Sequence, residues 1–167
     1  STAVQIREFF EKYTNRALKG CLYLAHLDPC TTKFENRAFD VQDVEGMVQY
    51  AELRRVNVYV STATYRVSPG ATSGRTSDNL SQLLTVHGDL DPEAGRTKED
   101  IRSQVLPRLG NATLVVDSGH GFQFQRWLPE PIEATDENRA VVLATNDQFT
   151  KELFADKASK DLTRVLR

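Results

Sequence analysis

Residues 83–91, reading LLTVHGDLD, constrain this chain more than any other segment: a β-rich apolar run ends abruptly in two aspartates separated by one leucine. Side chains of a strand alternate between faces, so Asp89 and Asp91 project together while Leu90 turns toward the core. Two carboxylates held that close repel each other unless a cation lies between them, and oxygen-only ligands suit Mg²⁺ or Mn²⁺. The pattern predicts a metal-dependent phosphate site. An isolated D-x-D more often reads as a strand end followed by an acidic turn, here DPEAG, so other segments must decide.

The chain has 167 residues, enough for one compact domain with its own core. No apolar run approaches the roughly 20 residues of a membrane span, and no signal peptide is recognisable. A formal net charge of −2 excludes the global basic excess of a protein that coats nucleic acid non-specifically. Cys21 and Cys30 are the only cysteines, which points to a reducing, cytoplasmic setting. With His26 they spell C-x4-H-x3-C, a zinc half-site that lacks a fourth ligand and matches no common finger. Buried free thiols are the simpler reading.

Residues 2–5 read as a capping box, and Ile6, Phe9, Phe10, Tyr13 and Ala17 follow at helical spacing as far as Gly20. Residues 21–27 read as a strand broken by Asp28 and Pro29, and Val44, Met47, Val48 and Ala51 mark one face of a second helix. Residues 56–60 alternate as a strand that continues through Tyr65. Residues 66–80, rich in Ser, Gly, Thr and Pro, predict a long mobile loop carrying Arg66 and Arg75. After the D-x-D strand, residues 97–100 open a helix with Ile101, Val105 and Leu109 facing inward. Residues 112–116 and 121–128 predict a hairpin around residues 118–121, and Val142, Thr145, Phe149 and Leu153 mark a helix over 135–155. Strands interleaved with helices predict an α/β (α+β) fold, a mixed sheet packed by helices.

Two further segments carry chemistry. In the hairpin turn, Gly119 and Gly121 permit positive φ and let backbone N–H groups approach a phosphate. Along the strand that follows, Phe122 and Phe124 share one side, while Gln123, Gln125 and Trp127 share the other. A functional role requires those glutamines to face Asp89 and Asp91. Near the end, Asp156, Lys157, Lys160, Asp161, Arg164 and Arg167 mix acid and base around Val165 and Leu166. Such mixing lets a third carboxylate complete a metal site while arginines reach phosphate oxygens.

In this order, a strand ending in D-x-D, a D-S-G-x-G-F-Q hairpin and a D-x-T-R-V-L-R element resemble the archaeo-eukaryotic primase superfamily. The resemblance is nearest to primase-polymerase domains of plasmid, phage and CRISPR-associated replication proteins. It covers residue 56 to the last residue, and the first 55 residues carry no motif of the family. It implies an RRM-like catalytic core at 56–167 behind an N-terminal α/β module at 1–55, and nucleotidyl transfer with two divalent metals, Mg²⁺ or Mn²⁺. Asp89 and Asp91 match the first, metal-binding motif, and Asp156, with Asp161 next, matches the third. Gln123 stands where many members have a nucleotide-binding histidine, with His120 three residues earlier. Ser118, Gly119, His120, Gln123, Arg164 and Arg167 become candidate nucleotide contacts, and Arg66 and Arg75 candidate template contacts. The implied partners are a DNA template and primer, nucleoside triphosphates, and a helicase or other replication domains on a longer chain. Members usually continue past the third motif, so the resemblance also implies a trimmed C-terminus.

Other functions fit less well. A non-catalytic nucleic-acid-binding replication-initiator module with the same fold is the main alternative. D-x-D phosphatases want D-x-D-G-T, whereas Pro92 and Glu93 follow here. A rolling-circle endonuclease needs paired histidines, and His26, His87 and His120 are each isolated.

Overall fold

The helical stripes and alternating runs form one eight-stranded sheet clad by helices in the computed structural model, which describes residues 2–54, 57–93, 95–110 and 112–166. In chain order the elements begin with α1 (Thr2–Thr14), β1 (Cys21–Leu27), β2 (Phe34–Asp40), α2 (Val44–Glu52), β3 (Val58–Ser61), β4 (Ala63–Tyr65) and β5 (Leu80–Leu90). Next come α3 (Lys98–Asp100), prolonged by a π turn (Ile101–Val105) and a 3-10 turn (Leu106–Leu109), then β6 (Leu114–Asp117), β7 (Phe122–Glu133), α4 (Asp136–Leu153) and β8 (Val165–Leu166). The sheet order is β6-β7-β5-β4-β1-β3-β8, with β2 on the other side of β1, and the strand pairings are antiparallel.

Alternation along the strands explains the layers. Leu22 and Leu24 of β1 pack with Val60, Leu84 and the apolar stripes of α1 and α2 on one face. Tyr23, Leu83 and Val86 pack against Val142 of α4 on the other. Further along, Leu90, Phe122 and Phe124 pack on Ile101, Val105 and Leu153. All of β5 is buried, so the D-x-D strand lies at the centre of the molecule. From β5 onward the order is β-α-β-β-α-β, the connectivity of an RRM-like unit, with β6, β7 and β5 adjacent. The last strand, β8, pairs with β3 of the N-terminal half rather than with β5.

Several expectations change. Helix α1 stops at Thr14, where Asn15 N–H donates to Glu11 O, Arg16 Nε to Tyr13 O and Arg16 N–H to Thr14 O, satisfying terminal carbonyls six residues before Gly20. The capping box read at residues 2–5 rests on the Thr2 side chain, which lies outside the described residues. The strand expected over 56–65 breaks at Thr62 into β3 and β4, and Val56 lies outside the described residues. Strand β2 escapes the sequence reading because Glu35, Asn36 and Arg37 follow Phe34 without apolar alternation, outside the core. Strand β7 runs on to Glu133 through Pro129 and Pro131, because β5 is irregular between Leu83 and Thr85 and makes no ladder pair there. On α4 the buried stripe is Val142, Asn146, Thr150 and Leu153 rather than one through Thr145.

Residues 66–80 are pinned rather than mobile. Gly70 N–H donates to Ala38 O, Ala38 N–H to Ala71 O, and the Tyr23 hydroxyl to Ser73 O. The cysteines and His26 do not converge: Cys21 is buried with its thiol on Val67 O, Cys30 is exposed, and His26 Nδ1 meets the Tyr50 hydroxyl at 2.8 Å.

Candidate active site

Cross-strand register places Asp89 opposite Gln123 and His87 opposite Gln125, so the glutamine face of β7 does meet the aspartate face of β5. Gln123 Nε2 donates to Asp89 Oδ2 at 3.1 Å. Asp89 Oδ1 is buried and, among the described residues, finds no hydrogen-bond donor. Burial pushes the Asp89 carboxyl above its ordinary value, and the neighbouring Asp91 and Asp156 charges push the same way, against the Gln123 bond and Arg164. A buried carboxylate with an orphaned oxygen beside a second carboxylate is a cation-seeking arrangement.

Beyond residue 84, β5 loses β4 as a neighbour, and its open edge is closed by polar groups from α4 and residues 156–160. His87 N–H donates to Asn146 Oδ1 at 2.9 Å, and Asn146 Nδ2 donates to Lys160 O at 3.2 Å. Asp89 N–H donates to Ser159 Oγ at 3.1 Å, while Asp156 N–H donates to Asp89 O at 2.7 Å. These bonds stand in for a missing ladder. The Asp147 carboxylate, held down at about 2 by Lys151 and Lys160, ties α4 to the same segment.

A cavity of about 550 Å³ opens above this edge. Asp89, Asp91 and Gln123 form one wall, with Ser118 and His120 from the hairpin turn. Asp161, Arg164 and Arg75 line the cavity as well, the last bonded to Asn36 Oδ1 and Thr163 O. Phe34 of β2 and Tyr59 of β3 complete it. The N-terminal half thus supplies part of the cavity, which no local sequence pattern signals.

The candidates divide accordingly. Asp89, Asp91, Asp161, Ser118, His120, Gln123, Arg164 and Arg75 share the cavity. Asp156 reaches Asp89 through its backbone, while its carboxylate accepts from Ala158 N–H at 3.0 Å and lies 3.9 Å from Arg164. Asp161 accepts from Thr163 through its N–H and hydroxyl. Arg66 is exposed and donates to Asp78 O, away from the cavity lining. Arg167 lies outside the described residues. Among the described residues no three His, Cys, Asp or Glu side chains are gathered into a ready metal cage.

In the turn, Gly119 takes a φ of +90°, as expected of a glycine, but Gly121 is needed for a different reason. A Cβ there would sit 2.2 Å from Leu90 O and 2.7 Å from Asp91 Oδ1. The turn amides are engaged internally, Ser118 N–H on Gly121 O, Gly119 N–H on Asp117 Oδ1 and Gly121 N–H on Ser118 Oγ. Lys98 clamps the turn through Asp117 and Gly119 O.

Arg96 is a positioning residue that sequence reasoning missed. Its guanidinium donates to Leu153 O and Phe154 O at the end of α4 and to Asp91 O at 2.9 Å, locking the D-x-D to the helix terminus. Replacing it with Ala is expected to lower stability by about 2 kcal/mol, since charge-assisted bonds to three carbonyls vanish. Urea denaturation reads the loss, and an unchanged midpoint would count against the role.

His87 is buried, its Nε2 3.3 Å from Asp161 O, and burial holds the imidazole down at about 4. An unfolded chain protonates histidine near 6.5, so the unfolded state takes up a proton that the folded state refuses. Stability is expected to fall as pH drops from 6.5 to about 4. His87→Gln should flatten that limb of a melting-temperature profile; an equally steep limb in the variant would assign the slope to other groups.

Comparison with protein-family models, curated proteins and solved structures finds no match to the chain. Among the described residues no helix is long and apolar enough to cross a membrane.

Proposed function

We propose that this chain is a primase-polymerase domain that transfers nucleotides from nucleoside triphosphates to a primer 3′-hydroxyl on a DNA template. The observation that carries this reading is one cavity lined by Asp89 and Asp91 together with Arg164. The carboxylates suit hard divalent cations and the arginines suit phosphate oxygens. The orphaned Asp89 Oδ1 fits Mg²⁺ or Mn²⁺, which Asp89 and Asp91 would hold, with Asp161 or Asp156 to complete the set. When bound, such ions activate the 3′-hydroxyl and neutralise the leaving pyrophosphate.

The chain's own groups do the rest. Gln123, a neutral donor where many members of the resembled family have histidine, orients Asp89 through the bond to Oδ2. Arg164 supplies positive charge where the triphosphate develops negative charge, and the Ser118 and His120 side chains position it from the turn. Further replication domains, a helicase among them, are the partners this chemistry would serve.

A non-catalytic DNA-binding role for the same fold is the second reading, favoured by the engagement of the Asp156 carboxylate with Ala158 and its nearness to Arg164. Extension of a labelled primer on a DNA template with Mn²⁺ or Mg²⁺ separates the two. Metal-dependent extension that disappears in the Asp89→Ala, Asp91→Ala double variant supports polymerase chemistry. Salt-sensitive DNA binding with no extension supports the second reading.

A further inference from the structure

We propose that Phe34 and Tyr59 form the wall on which a nucleobase stacks when a nucleotide occupies the Asp89 and Asp91 cavity, an inference that rests on the nucleotidyl-transfer reading. Phe34 is 49% exposed and presents a large apolar ring to a cavity that polar and charged side chains otherwise dominate. Its ring centroid lies 5.3 Å from that of Tyr59 at an interplanar angle of 71°. Edge-to-face packing of this kind holds the exposed ring in one attitude.

The wall is assembled by register. Tyr59 and Asn36 both lie opposite Ala25, one on each side of β1, and Phe34 lies opposite Leu27 two residues on, so these side chains share one face. Asn36 in turn holds Arg75, which holds Thr163 O beside Arg164. Hydrogen bonds through Asn36 and Arg75 therefore tie the strand that carries Phe34 to the segment that carries Arg164.

The cavity is thus polarised. Carboxylates and arginine meet the demands of a metal-bound triphosphate, whereas phosphate alone has no use for two aromatic rings. A volume of about 550 Å³ suits a ligand the size of a nucleotide. Every base has a π-face, so stacking here favours no particular base, as template-directed selection requires.

The test titrates ATP, CTP, GTP, UTP and inorganic tripolyphosphate into wild type, Phe34→Ala, Phe34→Trp and Asp89→Asn, all with Mn²⁺. Phe34→Ala is expected to weaken the four nucleotides about tenfold and comparably, leaving tripolyphosphate unchanged. Phe34→Trp should restore nucleotide affinity, and in primer extension Phe34→Ala should raise KM with kcat retained. Asp89→Asn should weaken nucleotides and tripolyphosphate alike. If Phe34→Ala binds all ligands as wild type does, or loses tripolyphosphate equally, the stacking wall is overturned while the nucleotide site stands. If wild type binds no nucleotide, the site and the wall fall together.

Discussion

Asp89→Asn is expected to lower metal-dependent primer extension by about 10³-fold, close to 4 kcal/mol of transition-state stabilisation, while the protein melts no lower than wild type. The two effects separate because Asp89 is a liability to the fold without a cation. Its carboxylate is buried, one oxygen has no hydrogen-bond partner among the described residues, and burial with the Asp91 and Asp156 charges raises its proton affinity. An unfolded chain ionises this group first. Stability contributed at low pH is therefore lost as pH rises from the ordinary carboxylate value through the raised one. Asparagine keeps the shape and an oxygen for Gln123 Nε2, and removes the charge. The expected signature is a lost activity with a melting temperature that is equal at low pH and higher than wild type at neutral pH. Retained extension in this variant would sink the proposed role of Asp89.

Gly121→Ala is expected to cost about 3 kcal/mol of stability and to abolish extension, because the new methyl group has no room. Its Cβ would meet Leu90 O at 2.2 Å and the Asp91 Cα at 3.0 Å, and both belong to the D-x-D segment itself. Phe122 pairs with Leu90, so β5 and β7 can make room only by parting where the aspartates are held. Gly119→Ala is the contrast. Apart from its chain neighbours, no described residue comes within 4 Å of a Cβ there, so only the positive φ opposes it, at about 1 kcal/mol. Urea midpoints for the two variants should differ accordingly, and equal midpoints would show that the close approach is not what selects glycine at 121.

The contrast between these two glycines illustrates what local pattern conveys. A glycine-flanked turn is legible from the letters alone, and so is the alternation that sets Asp89 and Asp91 on one face and Gln123 and Gln125 on one face. The reason for each glycine is not, because a clash with Leu90 O exists only once β5 and β7 lie side by side. The helix opening read at residues 97–100 is likewise present, with Thr97 and Asp100 capping it, since a cap is satisfied within one turn of helix. Strand β2 was invisible because Glu35, Asn36 and Arg37 carry no apolar alternation to detect.

By itself, then, the sequence determined the elements whose signals are short-range: the amphipathic stripes of α1 and α2, the presence of α4, the apolar β5, the hairpin and the paired aspartates at a strand end. Tertiary structure alone decided what surrounds those aspartates. It brought Phe34, Tyr59 and Arg75 from the first half of the chain to the cavity, and used Asn146 and Ser159 to close the edge of β5. It also turned the Asp156 carboxylate onto Ala158 while Asp161 lined the cavity. The physical reason is range. Periodicity records which face of its own element a side chain occupies, whereas a site is made where faces from distant elements meet, and that meeting follows from sheet order and register.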